Sequence, residues 1–152
     1  MLEIRQDDLT GSAIKALLQE HLTDMYATSP AESVHALDIP SLKTANITFW
    51  TIWQQQTLAG CAALNKIDTK HAEIKSMRTA KAFKNQGIAS SMLKYLIEHA
   101  KQAGFERISL ETGSMEYFKP ARQLYEKYGF EYCPPFASYD EDVNSVFMSL
   151  SL

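Results

Sequence analysis

The feature of this sequence that most constrains the fold is a helix with clear signals at both ends, lying between two strand-like segments. Apolar residues recur at helical spacing from Gly87 to about Ala103, and Gly104 follows as a typical C-terminal cap. The flanking segments "AEIKSMRT" and "RISLET" read as strands. A strand, a helix and a strand in this order join two parallel strands through a right-handed crossover. The second half of the chain therefore predicts a parallel strand pair covered by one helix.

The other segments predict mostly antiparallel strands and three further helices. The front half predicts a strand over Leu2–Gln6, an amphipathic helix from about Leu9 to Tyr26, and a second, short helix within "TSPAESVHALD". A hairpin follows, from Ile47–Gln54 to "LAGCAALNKI", and a helix from about Lys119 to Tyr128 precedes the strands "FEYC" and "SVFMSLSL". We therefore expect residues 1–152 to form a single α/β domain of the α+β type, with a mixed, mostly antiparallel sheet flanked by about four helices.

Composition and charge argue against several classes of protein. A length of 152 residues with 45% hydrophobic content suffices for one domain with a real core, and a net charge of -3 gives no reason to expect nucleic acid or an anionic membrane as a partner. No apolar run approaches the ~20 residues of a membrane helix, and "MLEIRQDDLT" lacks the pattern of a signal peptide. Cys61 and Cys133 form no CxxC motif and the four histidines have no paired spacing, so we expect reduced thiols, no bound metal and a cytoplasmic location.

The loop before the Gly87 helix has the properties of an anion site. The stretch from Ile74 through Ile97 contains no Asp or Glu. Its charged residues are Lys75, Arg78, Lys81, Lys84 and Lys94. The first amides of a helix are unpaired and carry partial positive charge, and glycine lets a ligand approach them closely. The pattern predicts a bound phosphate, whereas the alternative is a plain surface helix with a solvated basic loop. Neither the Walker A pattern nor GxGxxG is present.

Two motifs resemble a known family. "KNQGIA" is similar to the acetyl-CoA loop of the GNAT superfamily of N-acetyltransferases, whose pattern is Arg/Gln-x-x-Gly-x-Gly/Ala. Gly87 and Ala89 match this pattern, and Lys84 stands where Arg or Gln is usual. "ARQLYEKYGFE" resembles the helix of that family followed by Leu-Tyr-x-x-x-Gly-Phe, and the order of elements agrees over nearly the whole chain. "LETG", "CPPF" and "SVFMSL" further resemble a bacterial subgroup of small acetyltransferases.

The resemblance implies a V-shaped sheet that holds acetyl-CoA as cosubstrate. The sheet would split between the strand that ends near Thr79 and the strand "RISLET", and the pantetheine would pair with the first of these strands like an added strand. The pyrophosphate would lie on the amides of the loop and of the helix start, where the charge pattern already predicts an anion. The implied acetyl-CoA contacts are Met77, Arg78, Thr79, Lys84, Asn85, Gln86, Gly87, Ile88, Ala89 and Ser90.

The implied activity is the transfer of an acetyl group to an amine by direct attack, without an acyl-enzyme. Tyr125 matches the family tyrosine that protonates the leaving thiolate. Glu73 and Glu111 are the candidates for the base, and water is the alternative. A regular strand would place Glu73, Lys75 and Met77 on one face, with a main-chain N–H near Met77 available to the carbonyl oxygen.

The acceptor is expected to be a small-molecule amine or an amino-acid-like compound. The candidate contacts to this substrate are Tyr26, Ser29, His35, Thr112, Phe136 and Tyr139. His35, predicted on the second, short helix, is a candidate partner for a substrate carboxylate. Three alternatives stay open at this point: an acetyltransferase acting on protein amino groups, a non-catalytic acyl-CoA sensor, and a nucleotide- or phosphate-binding module. Dimers are common in such families, so a homodimer is among the expected assemblies.

Overall fold

Seven strands and four α-helices make up the chain, which a computed structural model describes over all of residues 1–152. The strands are β1 (Leu2–Gln6), β2 (Ile47–Gln54), β3 (Thr57–Lys66), β4 (His71–Thr79), β5 (Arg107–Gly113), β6 (Glu131–Cys133) and β7 (Ser145–Ser151). The helices are α1 (Ser12–Thr28), α2 (Ile39–Leu42), α3 (Ile88–Gln102) and α4 (Lys119–Lys127). The predicted mixed sheet with about four helices is confirmed.

The strands form one sheet in the order β1-β2-β3-β4-β5-β7-β6. Only β4 and β5 are parallel, and α3 connects them, as the strand–helix–strand pattern predicts. All other neighbours are antiparallel. The parallel pair therefore lies in the interior of the sheet, where both faces can be covered.

The predicted split of the sheet lies between β4 and β5. Their pairing ends at Ile74 and Leu110, although β4 continues to Thr79 and β5 continues to Gly113. Beyond this point β4 is paired on one side only, with β3. The V-shaped sheet is thus confirmed, and it leaves a length of β4 backbone free to bind another extended chain.

A β-bulge in β4 changes which side chains face which helices. Ser76 and Met77 stand opposite the single residue Ala62 of β3, and Ser76 has a φ of 53°. Because the bulge adds one residue, the side-chain alternation shifts after Lys75. Met77 packs on the core below α3 and α4, whereas Glu73 and Lys75 contact Tyr139. The prediction that Glu73, Lys75 and Met77 share one face is therefore wrong.

Two apolar cores lie on opposite faces of the sheet. On one face, α3 buries Ile88, Met92, Leu93, Leu96 and Ala100, which recur at helical spacing. On the other face, α1 buries Ile14, Leu17 and Leu18 against β2 and β3. Each such Leu or Ile side chain contributes about 1.5 to 3 kcal/mol of burial free energy. The two cores fix α1 on one side of β4 and α3 on the other.

The front half differs from the prediction at two places. α1 begins at Ser12 rather than near Leu9, because the side chains of Asp7 and Asp8 accept hydrogen bonds from the amides of Leu9 and Thr10 and form turns. The segment "TSPAESVHALD" contains only a single 3-10 turn, Ala31–Ser33, and not a second α-helix.

The residues from Val34 to Asp38 that follow this turn belong to no helix or strand, and His35 lies among them rather than on a helix. The short helix of this region comes later, as α2, and was not predicted. The side chain of Asp38 caps it by accepting a hydrogen bond from the amide of Ser41 at 2.9 Å.

Candidate active site

The split in the sheet opens into a cavity of about 640 Å³, a volume typical of small-molecule sites. We call the part lined by residues 83–85 and 87–90 the loop end. We call the part lined by residues 29 and 33–36 and by Glu73, Lys75, Glu111, Tyr139, Asn144 and Ser145 the network end. Met77 and Tyr125 line the region between the two ends.

The loop end is made of unpaired main-chain amides. Gly87 caps α3 with a φ of 81°, and Asn85 before it has a φ of 63°. No side chain caps the helix, and the amides of residues 85 to 90 donate to no acceptor within the chain. A side chain built at Gly87 would meet no atom within 4 Å, so the space in front of these amides is open. This geometry is suited to bind an anion such as a pyrophosphate.

The positive charge at the loop end is smaller than the sequence indicates. Arg78 is only 7% exposed and forms ion pairs of 2.6 Å with Glu20 and Asp24 of α1. The hydrogen bond from Arg78 lowers the pKa of the Asp24 carboxyl. Lys75 lies at the network end instead, so exposed Lys81 and Lys84 are the cations that remain on the loop itself. The loop end therefore depends mainly on its backbone.

Tyr125 is held at the split by the attachment of α4 to the end of β5. Arg122 donates hydrogen bonds to the carbonyls of Gly113 (2.7 Å) and Met115 (2.8 Å). The Tyr125 side chain is buried, and its hydroxyl contacts only Met77 Sδ, at 3.8 Å. Burial raises the pKa of Tyr125 to about 12. The hydroxyl therefore stays protonated near neutral pH and has a hydrogen bond to offer to a ligand.

Glu73 lies in a buried hydrogen-bond network. Its carboxylate accepts hydrogen bonds from Asn65 Nδ2 at 3.2 Å and from the Tyr139 hydroxyl at 2.5 Å. Lys75 Nζ lies 3.5 Å from the same carboxylate and donates to the Tyr139 hydroxyl at 2.6 Å. Burial, together with the charge of Glu73, raises the pKa of Tyr139 well above its usual range. Glu73 and Lys75 thus form a buried ion pair bridged by a protonated tyrosine.

Glu111 follows Leu110, the last residue of β5 that pairs with β4, and contacts His35. Glu111 Oε2 lies 2.6 Å from His35 Nδ1 and accepts a hydrogen bond from Ser145 Oγ at 2.8 Å. The side chains of His35 and Glu111 are 33% and 12% exposed, and both line the cavity. The partner of His35 is therefore a carboxylate of the chain itself.

A polar tie holds the His35 segment against the loop before β7. Ser33 Oγ donates to Asp142 Oδ2 at 2.6 Å and accepts from Asn144 Nδ2 at 3.3 Å. The hydrogen bond from Ser33 lowers the pKa of Asp142. This tie connects residues that are more than 100 positions apart in the sequence, and two of them, Ser33 and Asn144, line the network end.

Some predicted contacts lie in the cavity and others lie outside it. Ser29, His35, Thr112 and Tyr139 line the cavity, as do all the predicted acetyl-CoA contacts except Gln86. The Gln86 side chain turns back to the Ala82 carbonyl, at 3.2 Å.

Two predicted substrate contacts also lie outside the cavity. Tyr26 is 58% exposed near the end of α1. Phe136 is buried and packs edge-on against Tyr139, with ring centroids 5.3 Å apart, so it supports a lining residue instead of lining the cavity.

Sequence patterns did not single out several residues of the network end. Only Asn65 could have been found from local sequence. β3 and β4 form a hairpin, and counting back from its turn places Asn65 opposite Glu73. Asp142 and Ser145 have no such signal, since their partners are distant in the sequence. His21 also lines the cavity, with an unpartnered Nδ1, and burial followed by the charge of Arg78 lowers its pKa to about 4.

No group of three or more His, Cys, Asp or Glu side chains is arranged to hold a metal ion. Neither Cys61 nor Cys133 lines the cavity, and burial raises the pKa of the Cys61 thiol to about 12. No helix combines the length and the apolar character that crossing a membrane requires.

Relatives at high identity span the whole chain. The chain is 52% identical over 151 residues to an uncharacterised N-acetyltransferase, YsnE, of Bacillus subtilis, covering 99% of this chain and 100% of the relative. It is 45% identical to an uncharacterised N-acetyltransferase, YedL, of Escherichia coli, covering 100% and 96%. An IAA acetyltransferase of Azospirillum brasilense is 32% identical, covering 97% and 95%.

Solved structures share the fold at low sequence identity. An acetyltransferase from Streptococcus agalactiae superposes with a TM-score of 0.75 at 20% identity, covering 99% of this chain and 98% of that one. A GNAT family acetyltransferase from Elizabethkingia anophelis, solved with acetyl-CoA bound, superposes with a TM-score of 0.70 at 21% identity, covering 99% and 98%. The acetyltransferase (GNAT) family itself matches residues 14–130. The split sheet, the amide-lined loop and these full-length relatives agree, and the chain belongs to the acetyltransferase (GNAT) family.

Proposed function

We propose that this chain transfers an acetyl group from acetyl-CoA to a primary amine of a small molecule, by direct attack of the amine in a ternary complex. The observation that carries the proposal is the separation of β4 from β5 beyond Ile74 and Leu110. It opens a cavity that continues to the unpaired amides at the start of α3. A long, thin donor with phosphates at one end and a thioester at the other fits this shape.

The donor would use the backbone at both of its ends. The pantetheine amides would pair with the free edge of β4 at Met77, Arg78 and Thr79, which extends beyond the last contact with β5. The pyrophosphate would accept hydrogen bonds from the amides of residues 85 to 90, next to the charge of Lys84. Only the main chain of Gln86 would take part, since its side chain is bonded to Ala82.

In the proposed reaction the amine nitrogen bonds to the thioester carbonyl carbon and the carbon–sulfur bond breaks. A main-chain N–H at the bulge, from Met77 or its neighbour, would stabilise the charge that develops on the carbonyl oxygen. The Tyr125 hydroxyl would donate a hydrogen bond to the departing sulfur. Because burial raises the pKa of Tyr125 to about 12, stabilisation through this hydrogen bond contributes more than complete proton transfer.

Two features support direct attack on a small acceptor. An acyl-enzyme on a cysteine would need a thiol near the thioester, and neither Cys61 nor Cys133 lines the cavity. Buried side chains that bind one another line the network end, which favours a compact acceptor over an amino group of a folded protein. Ser29, His35, Thr112 and Tyr139 are the proposed contacts to this acceptor.

The test is a panel of primary amines assayed with acetyl-CoA by release of free thiol, using the wild type beside Tyr125→Phe. IAA is assayed separately from the amine panel, because one full-length relative is named an IAA acetyltransferase. We expect Tyr125→Phe to lower kcat about 100-fold, because one hydrogen-bond donor to the transition state is lost. The Kd of acetyl-CoA, measured by calorimetry, should change little.

The alternatives give different results in the same experiments. A non-catalytic acyl-CoA sensor would bind acetyl-CoA and release thiol at the same negligible rate with and without Tyr125. A nucleotide-binding module would be stabilised against heat by ATP or GTP rather than by acetyl-CoA. The proposed function predicts stabilisation of about 2.7 kcal/mol when acetyl-CoA is present at 100 times its Kd.

A further inference from the structure

The contact between His35 and Glu111 has the geometry of a base held by a carboxylate. A carboxylate can only accept hydrogen bonds, so His35 Nδ1, at 2.6 Å from Glu111 Oε2, carries the hydrogen. The second nitrogen, Nε2, is then left with a free lone pair, and no group of the chain donates a hydrogen bond to it. Since His35 lines the cavity and is 33% exposed, this nitrogen is accessible to a ligand.

The other carboxylate of the cavity is poorly placed to act as the base. Glu73 is 3% exposed, and both of its oxygens accept hydrogen bonds, from Asn65 and from Tyr139. The Lys75 ammonium also lies 3.5 Å from this carboxylate, which is therefore fully occupied by groups of the chain. Glu73 is therefore better suited to hold Tyr139 and Lys75 in place than to exchange protons with a substrate.

We propose that His35 accepts the proton of the attacking amine at Nε2 and that Glu111 positions the ring and stabilises its protonated form, an inference that rests on the proposed function. The amine nitrogen forms its bond to the carbonyl carbon, the carbon–sulfur bond breaks, and one amine proton moves to His35 Nε2. The sulfur leaves as a thiolate hydrogen-bonded to Tyr125 and takes a proton from solvent. The imidazolium returns its proton to solvent, so the overall products are the amide and the free thiol of coenzyme A.

Several charged and titratable groups surround His35 and set its response to pH. Glu111 on β5 contacts it directly, and Tyr139 lies edge-on with ring centroids 5.2 Å apart. Asp142, in the loop before β7, interacts with it through its charge. Glu73 and Lys75 on β4 lie beyond Tyr139 and offset one another. The anions Glu111 and Asp142 thus favour the imidazolium that proton transfer creates.

The first test compares His35→Gln with the wild type, using acetyl-CoA and the panel amine that gives the highest rate of thiol release. We expect kcat/KM for the amine to fall about 100-fold at neutral pH while the Kd of acetyl-CoA stays within twofold, because only the base is lost. Protonation of the acceptor amine itself lowers the rate of both enzymes, so the acid limb that matters is the additional fall of the wild-type profile below neutral pH, and this additional fall should disappear in the variant. Added imidazole should restore part of the activity of His35→Ala, an effect that a merely structural role of His35 would not produce.

The second test separates the roles of the two residues. Glu111→Gln should keep part of the activity and move the acid limb to lower pH, because the imidazolium loses its anionic partner. Ser33→Ala is the matched control, since it loosens the same segment without touching the imidazole, and it should keep the wild-type shape of the profile. A His35→Gln enzyme with wild-type kcat/KM, or an acid limb that survives in it and vanishes in Glu111→Gln, would overturn the assignment.

A third measurement does not depend on activity. Long-range ¹H–¹⁵N spectra of the wild type should show the neutral His35 ring protonated at Nδ1 and not at Nε2, and the opposite tautomer would contradict the proposal. If the wild type neither binds acetyl-CoA nor releases thiol with any panel amine, the proposed function fails. If it does both and His35→Gln behaves like the wild type, only the present inference fails.

Discussion

The two ends of the cavity are built from different parts of the polypeptide. At the loop end, main-chain amides of residues 85 to 90 face an open space, and the nearby lysines are exposed. At the network end, buried side chains from four separate segments bind one another, with Glu73, Lys75 and Tyr139 at the centre. A backbone site depends on local conformation, whereas a side-chain network depends on contacts between distant segments.

This difference indicates what each end recognises. Main-chain amides and a helix dipole attract any phosphate and do not discriminate among the groups attached to it. The network end presents particular donors, acceptors and charges at fixed positions, so it can select one acceptor over another. The loop end is therefore expected to be shared widely among acetyl-CoA-dependent enzymes of this fold, and the network end is expected to set the specificity of this one.

The largest effect should come from breaking the ion pair of the network end. Lys75→Met removes the cation next to Glu73, whose side chain is 4% exposed, and leaves a buried carboxylate without its partner. We expect the free energy of unfolding, measured in urea, to fall by about 3 kcal/mol. The double variant Glu73→Gln/Lys75→Met should recover most of this loss, because no charge is then left unpaired.

The matched control for this prediction lies at the loop end. Lys84 is exposed and makes no ion pair within the chain, so Lys84→Met should change the free energy of unfolding by no more than about 0.5 kcal/mol. Equal free energies of unfolding for Lys75→Met and Lys84→Met would mean that the ion pair of the network end contributes no more to stability than an exposed lysine of the loop end.

The second effect concerns ligand binding at the loop end. Gly87 has a φ of 81°, which a β-branched residue adopts only with strain, and the space in front of it is free for a ligand. We expect Gly87→Val to raise the Kd of acetyl-CoA about 100-fold or more in calorimetry, with an unchanged circular dichroism spectrum. Lys84→Ala should raise it only about threefold, since an exposed charge contributes little. A larger effect for Lys84→Ala than for Gly87→Val would show that charge, and not the backbone, governs this end.

Sequence patterns predicted the loop end better than the network end, for a physical reason. The glycine at the helix start, the missing acidic residues and the strand–helix–strand order are local signals, and the structure agrees with each of them. The charge pattern overstates the positive charge available at the loop end. Arg78 is neutralised by Glu20 and Asp24, which lie more than 50 positions away in the sequence.

The network end gave few local signals. A period-2 pattern cannot reveal the bulge at Ser76, so the orientation of Met77 was predicted wrongly. His35 was singled out, but its partner Glu111 lies 76 positions away, on a different element of the fold. Such contacts follow from the packing of the whole chain and cannot be derived from any one window of sequence.

The third prediction uses the buried histidine of the cavity. The folded-state pKa of His21 is lowered to about 4, first by burial and then by Arg78, so the unfolded chain, with an ordinary histidine pKa of about 6.5, takes up the proton first. The unfolded state binds more protons between these two values, and stability is lost as pH falls through this window. We expect His21→Gln to reduce the loss of stability on going from pH 7.5 to pH 5 by about 1 to 2 kcal/mol, measured by urea unfolding at both values.

Burial lowers the pKa of His71 as well, so part of the pH dependence should remain. An unchanged pH dependence would mean that His21 is not buried in its neutral form.

The smallest effect tests whether the network end selects against a carboxylate on the acceptor. Lys75 of this end is paired with Glu73, and Arg78, elsewhere in the cavity lining, is paired with Glu20 and Asp24. The remaining charged groups of the network end include Glu111. An acceptor carboxylate would therefore meet anions without a free cation, which costs about 1.4 kcal/mol or more at close range. We expect kcat/KM for tyramine to exceed that for tyrosine about 10-fold, and tyrosine methyl ester to resemble tyramine because its carboxylate charge is masked. Asp24→Asn should narrow the difference, since it frees part of the Arg78 charge. A preference for tyrosine over tyramine would show that a cation leaves its partner when the acceptor binds. The ion pairs of the free protein would then not determine which acceptor is selected.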